Sequence, residues 1–256
     1  MKLLARTQPL ARYPIRRCLE VIRQLCFDGV EICLENEDIA PARLDAALVA
    51  AVRERVRALG LSPFSISYHK NYVYDDTFLR ETQEAIRWTR EFGTDIFVFA
   101  GTRPRPDDPG AWRRMVDRTG ELARVAEACS VTLAEEFEPS FIVGSTAELL
   151  RLFDEVRSPR LAANLDLGHV FLCDPDPIAA IHQVGSRIVH CHIENMSTGV
   201  HEHRLPWEGD MDLSAYLEAL RQEGFAGGLA LDLYKQDYES VAAESLAYLR
   251  QILART

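Results

Sequence analysis

Short apolar runs alternate with longer amphipathic stretches along the whole chain of 256 residues. The apolar runs predict eight β-strands, near residues 2–6, 29–34, 63–68, 95–100, 131–136, 161–166, 187–193 and 228–233. They recur roughly every thirty residues, which is the spacing of successive strand–helix units in a closed barrel. The pattern therefore predicts an α/β fold, a (β/α)8 TIM barrel that forms a single domain over residues 1–256.

The amphipathic stretches carry the signals that begin and end helices. PARLDAALVAAVRERVRALG ends at Gly60, and STAELLRLFDEV opens on the capping pair Ser145 and Glu148. An open doubly wound sheet would show the same alternation, but it requires a G-x-G-x-x-G turn after an early strand. The sequence contains no such turn, so the closed barrel is favoured.

Composition restricts the compartment and the partners. The net charge of −10 opposes the basic surface through which proteins displace counterions from nucleic acid. The longest apolar runs are far shorter than the roughly 18 residues of a membrane span, and MKLLARTQPL is too short to act as a signal peptide. The six cysteines form no C-x-x-C pair, as expected for reduced thiols. We expect a cytoplasmic protein that binds neither nucleic acid nor membranes.

Four side chains that bind metals well stand at the ends of the fifth to eighth predicted strands: Glu136, Asp166, His192 and Asp232. In a barrel, the carboxyl ends of all strands meet at one mouth, so these groups would surround one point. Three carboxylates and one imidazole suit a single divalent ion, Mn²⁺ first, with Mg²⁺, Co²⁺ or Zn²⁺ as alternatives. A single acid at a strand end more often caps a helix or forms an ion pair, and the run of four favours the metal.

The histidines reinforce this prediction, because six of the seven lie in or after predicted strands and only His182 falls in a predicted helix. His190 and His192 share one face of their strand, since side chains alternate with a period of two. His192 is nearer the mouth and is the better ligand. His69 and His169 also fall at the rim, where the alternatives are a solvated loop histidine for His69 and a buried, hydrogen-bonded one for His169.

Several motifs together resemble the xylose isomerase-like barrel superfamily of sugar isomerases and epimerases: VTLAEE, DLGH, HCHIEN, HRLPWEGDMDLSAYLEAL and GGLALD. The resemblance covers the chain in layout, and its specific motifs lie in the second half. The superfamily includes ketose 3-epimerases, hydroxypyruvate isomerase, inosose dehydratase and endonuclease IV. Its isomerase members hold a divalent metal on Glu, Asp, His and Glu, to which Glu136, Asp166, His192 and Asp232 correspond. FDGVEI is similar to the family's G-x-D-G-V-E, and Glu31 is expected to give the barrel buried polar support.

The resemblance implies a metal-dependent sugar isomerase or epimerase that acts on a small keto sugar or polyol. Glu136 and Asp232 would exchange protons with carbons next to a carbonyl, while the metal polarises the oxygens. The residues expected to bind the substrate are His69, His169, His203 and Arg204. Dimers are common in the family, which makes a homodimer the expected assembly.

Two alternatives concern the chemistry of a site with one metal. A dehydratase or lyase would share the first proton abstraction and then expel hydroxide or an alcohol from a related sugar or cyclitol. Asp232 is one methylene shorter than the family's glutamate, and Trp207 replaces a small residue near the substrate. A barrel that keeps the metal without turning over a sugar is therefore the second alternative.

A third alternative is a hydrolase with two or three metals. His201 and His203 form an H-x-H pair in the predicted loop after the seventh strand, where endonuclease IV has a D-x-H pair that serves its additional zinc ions. Against this alternative, Gly101 and Thr102 stand where that enzyme has a zinc-binding histidine, and the acidic charge disfavours DNA.

Overall fold

The structure is a computed structural model that describes residues 1–255, within which eight of ten strands form a closed barrel. The strands are β1 (Lys2–Arg6), β2 (Gly29–Cys33), β3 (Ser62–Ser67), β4 (Ile96–Ala100), β5 (Thr132–Glu136), β6 (Leu161–Asp166), β7 (Ile188–Ile193), β8 (Asn195–Ser197), β9 (Val200–Arg204) and β10 (Gly228–Leu231). The barrel strands are parallel, and β10 closes the ring between β7 and β1. The predicted TIM barrel is confirmed.

Helices cover the outside of the barrel. Within residues 1–255 they are α1 (Ile15–Gln24), α2 (Ala46–Ala58), α3 (Asp76–Phe92), α4 (Ala111–Cys129), α5 (Thr146–Val156), α6 (Leu167–Cys173), α7 (Pro177–Val184), α8 (Leu213–Gln222) and α9 (Tyr238–Leu253). Most begin after an Asp or Ser whose side chain accepts a hydrogen bond from a first-turn amide: Asp45, Asp75, Ser145, Asp166, Asp176 and Asp212. Each such cap contributes about 1 kcal/mol.

The predicted start of α5 and the predicted end of α2 agree with the structure. Ser145 Oγ accepts a hydrogen bond from the Glu148 amide at 3.3 Å, and the Glu148 carboxylate accepts one from the Gly144 amide at 2.8 Å. Gly60 follows the end of α2 with a φ of +67°, which is the left-handed conformation that glycine adopts without a Cβ clash. Local capping chemistry thus sets both helix boundaries.

Register brings the polar ends of neighbouring strands to one height. The Cα of Asp166 on β6 is paired with that of His192 on β7, and Ala100 on β4 is paired with Glu136 on β5. Because helices cover the outer face and side chains fill the interior, β6 is buried along its whole length. The predicted strands agree with the observed ones to within two residues at every end.

The segment after β7 was predicted as a loop, but it forms the antiparallel hairpin of β8 and β9. Asn195 holds the base of this hairpin, since its side-chain amide donates to the carbonyls of Pro206 at 2.9 Å and Met211 at 3.2 Å. Its side-chain oxygen accepts from the Met211 amide at 3.0 Å. Alternation along β9 then places His201 and His203 on one face. Because β9 is largely exposed, its residues show no periodic apolar pattern from which a strand could be predicted.

Two further features concern the state of the cysteines and the apolar character of the helices. All six cysteines are free, and Cys18, Cys33 and Cys191 are buried, where a thiol packs as a small apolar group. Within residues 1–255, no helix has both the length and the apolar character that crossing a bilayer requires.

One carboxyl group is buried outside the barrel mouth. Glu135 precedes Glu136 on β5 and is fully buried, and neither of its carboxyl oxygens has a hydrogen-bond partner among residues 1–255. Burial, followed by the charge of Glu136, raises the pKa of Glu135 well above its ordinary value. The folded protein therefore favours the neutral form of this side chain.

The Glu135→Gln variant is expected to become more stable than the wild type as the pH rises. The stability that neutral Glu135 permits is fully present below its unfolded pKa of about 4.5 and is lost as the pH rises toward the raised folded pKa. The gain in unfolding free energy from pH 5 to pH 8 should be about 1–3 kcal/mol. Urea unfolding at both pH values, with exposed Glu54→Gln as the control, measures it. A pH-independent difference between variant and wild type would contradict this account.

Candidate active site

The candidate site is a cavity at the carboxyl ends of the barrel strands, with a volume of about 190 Å³. Its lining is almost entirely polar: Arg6, Gln8, His69, Glu136, Glu138, His169, His201, His203, Asp232 and Tyr234. A larger surface groove of about 780 Å³ lies near Phe153, Arg157 and Arg187, by the amino ends of β6 and β7. TIM-barrel active sites lie at the carboxyl ends of the strands. The smaller cavity is therefore the candidate active site, because it lies at those ends and is lined by ionisable side chains.

Three of the four predicted metal ligands converge at this mouth. Glu136, Asp166 and His192 each offer a ligand atom, and these atoms lie within 4.8 Å of one another. His192 Nδ1 is 3.1 Å from Glu136 Oε2 and 3.8 Å from Asp166 Oδ2. All three side chains are buried at the ends of β5, β6 and β7. We refer to these residues as the acidic triad.

The unpaired atoms of the acidic triad fit a divalent cation. Asp166 Oδ1 caps α6 by accepting from the His169 amide at 2.8 Å, whereas Asp166 Oδ2 has no partner in the described part of the chain. His192 Nδ1 also lacks a hydrogen-bond partner there. Buried polar atoms left unsatisfied are costly, and a metal ion between them would remove that cost.

Glu31 sets the orientation of the His192 ring. His192 Nε2 donates to Glu31 Oε2 at 3.1 Å, which leaves Nδ1 to face Glu136 and Asp166. Burial lowers the pKa of His192, but the carboxylates of Glu136 and Glu31 outweigh it and raise this pKa to about 10. A carboxylate behind a ligating imidazole is the usual support of a metal site. Glu31 is buried, as predicted, and it has this further contact.

Replacing Glu31 by glutamine is expected to weaken divalent-metal binding about 10–100-fold, because His192 loses the carboxylate that orients it. Titration calorimetry with Mn²⁺ on metal-free protein gives the affinity directly. The exposed Glu37→Gln variant, whose carboxylate pairs with Arg43 on the surface, is the matched control. Unchanged affinity in Glu31→Gln would mean that the barrel fixes the ring without this contact.

Arg6 lies beside the fourth predicted ligand, Asp232. The guanidinium is buried at the end of β1, its Nε donates to Glu31 Oε1 at 2.8 Å, and its Nη1 contacts Asp232 Oδ2. Burial raises the pKa of Asp232, but Arg6 outweighs it and holds this pKa below the ordinary value. Sequence reasoning missed Arg6, although an arginine ending the apolar run KLLAR was a signal of a buried charge.

A polar layer beneath the mouth supports Glu136. Asn164 Nδ2 donates to Glu136 Oε2 at 2.7 Å, and Asn164 Oδ1 accepts from His190 Nδ1 at 2.8 Å. His190 Nε2 lies 2.9 Å from Ser65 Oγ. Burial lowers the pKa of His190 to about 3, so this imidazole is neutral. His190 lies deeper than His192, as alternation predicted, and it positions groups rather than binding at the mouth.

His69 reaches the cavity from β3. Its Nε2 lies 3.2 Å from Glu136 Oε2, and its Nδ1 lies 3.5 Å from Glu35 Oε1. Burial lowers the pKa of His69, but Glu136 and Glu35 outweigh it and raise this pKa well above the ordinary value. The structure thus brings this predicted substrate residue directly against the predicted catalytic acid.

His169, His201 and His203 form a second group, which we call the histidine cluster. Their ligand atoms also lie within 4.8 Å of one another, and His169 Nε2 is 3.1 Å from His201 Nε2. His169 Nδ1 donates to the Phe137 carbonyl at 2.8 Å, and His203 Nδ1 donates to the Asp232 carbonyl at 3.0 Å. A carbonyl only accepts, so these contacts place a proton on Nδ1 of His169 and His203, and in that tautomer Nε2 is the atom that can bind a metal.

Two residues singled out in the sequence lie apart from the cavity. Arg204 contacts Glu202 on the exposed hairpin and does not line the cavity. Trp207 packs edge-on against Tyr248 with ring centroids 5.8 Å apart, so it does not shape the pocket. Gln8, Glu138 and Tyr234 also line the cavity, and none of them belongs to a motif that identified it from the sequence. Gln8 begins a short 3-10 helix, and the other two lie in loops.

The fold and the site define a TIM-barrel protein with a candidate metal centre and buried carboxylates at the carboxyl mouth. The chain belongs to the xylose isomerase-like TIM barrel family, whose model matches residues 19–252. The resemblance stated from the motifs is confirmed.

Individual relatives narrow the comparison. The L-ribulose-5-phosphate 3-epimerase UlaE of Salmonella typhimurium is 25% identical over 265 residues, which cover 94% of this chain and 93% of that protein. A crystal structure of D-psicose 3-epimerase superposes with a TM-score of 0.79 at 17% identity, covering 99% of both chains. The probable 3-DHS dehydratase AsbF of Bacillus anthracis superposes with a TM-score of 0.83 at 17% identity, covering 98% and 99%. The prediction that this chain is an enzyme is confirmed.

Proposed function

We propose that the protein is a divalent-metal-dependent epimerase or isomerase of a small keto sugar or polyol. The observation that carries the proposal is the acidic triad, whose buried unpartnered atoms face each other next to a cavity that Glu136 and Asp232 line. The similarity to UlaE over nearly the whole chain supports a sugar substrate and a proton-transfer reaction.

Glu136 and Asp232 are the proposed acid/base pair. They stand at the ends of β5 and β10 and both line the cavity. One carboxylate would take the proton from the carbon next to the substrate carbonyl, and the other group, protonated when the substrate binds, would give its proton to the opposite face of the same carbon. Exchange with solvent would then restore the starting protonation of both groups. Asn164 and His69 hold Glu136, and Arg6 holds Asp232, so neither carboxylate is free to turn away.

Glu136, Asp166 and His192 would hold the metal ion. When bound, such an ion polarises the substrate carbonyl and so acidifies the neighbouring C–H bond. Carboxylate-rich sites favour hard ions, and Mn²⁺ is the proposed identity. Manganese, a cytoplasmic location and a homodimer are predictions for elemental analysis, fractionation and sedimentation.

His69, His169 and His203 would orient substrate hydroxyls around the reacting carbons. All three line the cavity together with the carboxylates. The cavity volume of about 190 Å³ suits a small substrate rather than a polymer. Arg204 remains a predicted substrate residue that the present conformation keeps on the hairpin surface.

The test is a proton-exchange assay in D₂O. Metal-loaded protein is incubated with ketopentoses, ketohexoses and their phosphates, and the products are followed by NMR. Deuterium next to the carbonyl together with a new epimer supports an epimerase, and an aldose product supports an isomerase. Loss of water from the sugar would instead identify the dehydratase alternative. A panel without any exchange would refute the proposed chemistry.

The histidine cluster favours a second candidate, a hydrolase with two or more metals. Its three imidazoles offer ligand atoms within 4.8 Å of one another next to the acidic triad, an arrangement that suits zinc. Metal stoichiometry separates the two candidates, because the epimerase needs one ion per chain. Two or more zinc ions that are lost in His201→Ala would favour hydrolysis.

A further inference from the structure

Asp232 stands apart from the acidic triad. Its Oδ2 lies 3.8 Å from His192 Nδ1, but within residues 1–255 no set of three mutually close ligand atoms includes Asp232. The carboxylate is buried, and its second oxygen, Oδ1, has no hydrogen-bond partner in the same residues. Of the four predicted ligands, Glu136, Asp166 and His192 therefore form one group, and Asp232 lies next to it.

Arg6 accounts for this separation. Its guanidinium contacts Asp232 Oδ2, the oxygen that faces His192, and it is anchored on the other side by Glu31 Oε1 at 2.8 Å. Both side chains of the Arg6–Asp232 pair are almost fully buried, so water does not compete for the contact. A cation fixed on this oxygen and a metal ion on the same oxygen would repel each other.

The backbone also restrains Asp232. Its amide donates to the Ile193 carbonyl at 3.1 Å, and its carbonyl accepts from His203 Nδ1 at 3.0 Å. With the main chain held at both atoms, the carboxylate reaches only as far as one methylene allows. A glutamate at this position would extend by about one further C–C bond, roughly 1.5 Å.

We propose that the metal is held by three side chains, Glu136, Asp166 and His192, and that Arg6 keeps Asp232 off the metal as an acid/base group. The two ligating carboxylates neutralise a divalent ion, and Asp232 shares the positive charge of Arg6 with Glu31. Arg6 acts as a positioning residue, because it occupies Oδ2 and leaves Oδ1 free for the substrate proton. The acid/base role of Asp232 rests on the proposed function, whereas the assignment of the three metal ligands does not.

Metal affinity tests the inference without any turnover. Calorimetric titration of metal-free protein with Mn²⁺ should show Asp166→Asn binding about 100-fold or more weakly. Asp232→Asn should bind within about threefold of the wild type, a difference well below 1.4 kcal/mol. Equal weakening in the two variants would overturn the inference, since Asp232 would then be a ligand. Thermal melts establish that both variants fold.

Arg6→Gln provides the complementary measurement. Removing the guanidinium should leave Mn²⁺ affinity equal or tighter, because a neighbouring positive charge is lost and Asp232 is released. Weaker binding would contradict the inference. Exposed Arg43→Gln is the matched control for removing a guanidinium. If Arg6→Gln does not fold, because it leaves Glu31 without its cation, the Asp232→Asn titration decides alone.

Once a substrate is found, kinetics test the acid/base role of Asp232 and the positioning role of Arg6. Asp232→Asn should keep the metal and lose about 10²–10⁴-fold in kcat, with little change in KM. Arg6→Lys should recover part of the kcat that Arg6→Gln loses, as a cation returns to Oδ2. A metal-loaded Asp232→Asn variant with wild-type kcat would refute the assigned role. Absence of turnover in every variant would instead refute the proposed function and leave the three-ligand result intact.

Discussion

Replacing Glu136 by glutamine is expected to lower kcat by about 10²–10⁴-fold from the loss of the general base alone. Glutamine keeps the shape and can still accept from Asn164, which donates to Glu136 Oε2 at 2.7 Å. It cannot take a proton, and it offers a metal only a neutral oxygen. Steady-state kinetics, with elemental analysis of the same preparation, separates loss of the base from loss of the ion.

The neighbouring residue offers a matched control for that experiment. Glu135→Gln makes the same chemical change one position earlier on β5, where the side chain faces away from the mouth because strand side chains alternate. It should retain wild-type kcat and metal content. If Glu136→Gln keeps full activity, or if the two variants lose activity equally, Glu136 is not the proposed acid/base group.

Removing the metal is expected to abolish turnover and to destabilise the protein. Dialysis against a chelator leaves Asp166 Oδ2 and His192 Nδ1 facing each other without a cation, and one equivalent of Mn²⁺ should restore activity. At a free metal concentration of about 1,000 Kd, binding should add about 4 kcal/mol to the unfolding free energy. Denaturant unfolding with and without metal measures this difference.

His192→Ala tests the same prediction by mutation. It should remove the metal-dependent gain in stability, because the imidazole of the acidic triad is gone. His182→Ala is the control, since His182 pairs with Glu223 on the exposed face of α7. A stability gain that persists in His192→Ala would place the metal elsewhere, with the histidine cluster as the first position to examine.

The barrel itself could be predicted because its signals are local and repeated. Apolar runs such as IFVFA and LAANLD have the length and burial of parallel strands, and capping residues such as Ser145 mark the helix starts. Once eight units close into a ring, every strand-end side chain reaches one mouth. It could therefore be predicted from the sequence that Glu136, Asp166 and His192 lie close together.

The hairpin and its histidines could not be predicted in the same way. Asn195 organises β8 and β9 through contacts with Pro206 and Met211, which lie more than ten residues further along the chain. An exposed strand leaves no periodic apolar signal, so HEHR was expected to be a loop. The placement of His201 and His203 against His169 follows from this hairpin and from no local pattern.

Residue type and periodicity predicted the TIM barrel and a set of metal-binding side chains at its mouth, and the resemblance of several motifs predicted the family. They could not predict which side chain pairs with which carboxylate oxygen in the site. Arg6 contacts Asp232 across 226 residues and His192 meets Glu31 across 161, and these pairs exist only because β10 closes the ring onto β1. A buried charge takes the nearest counter-charge, and that distance is a property of the closed barrel rather than of any segment.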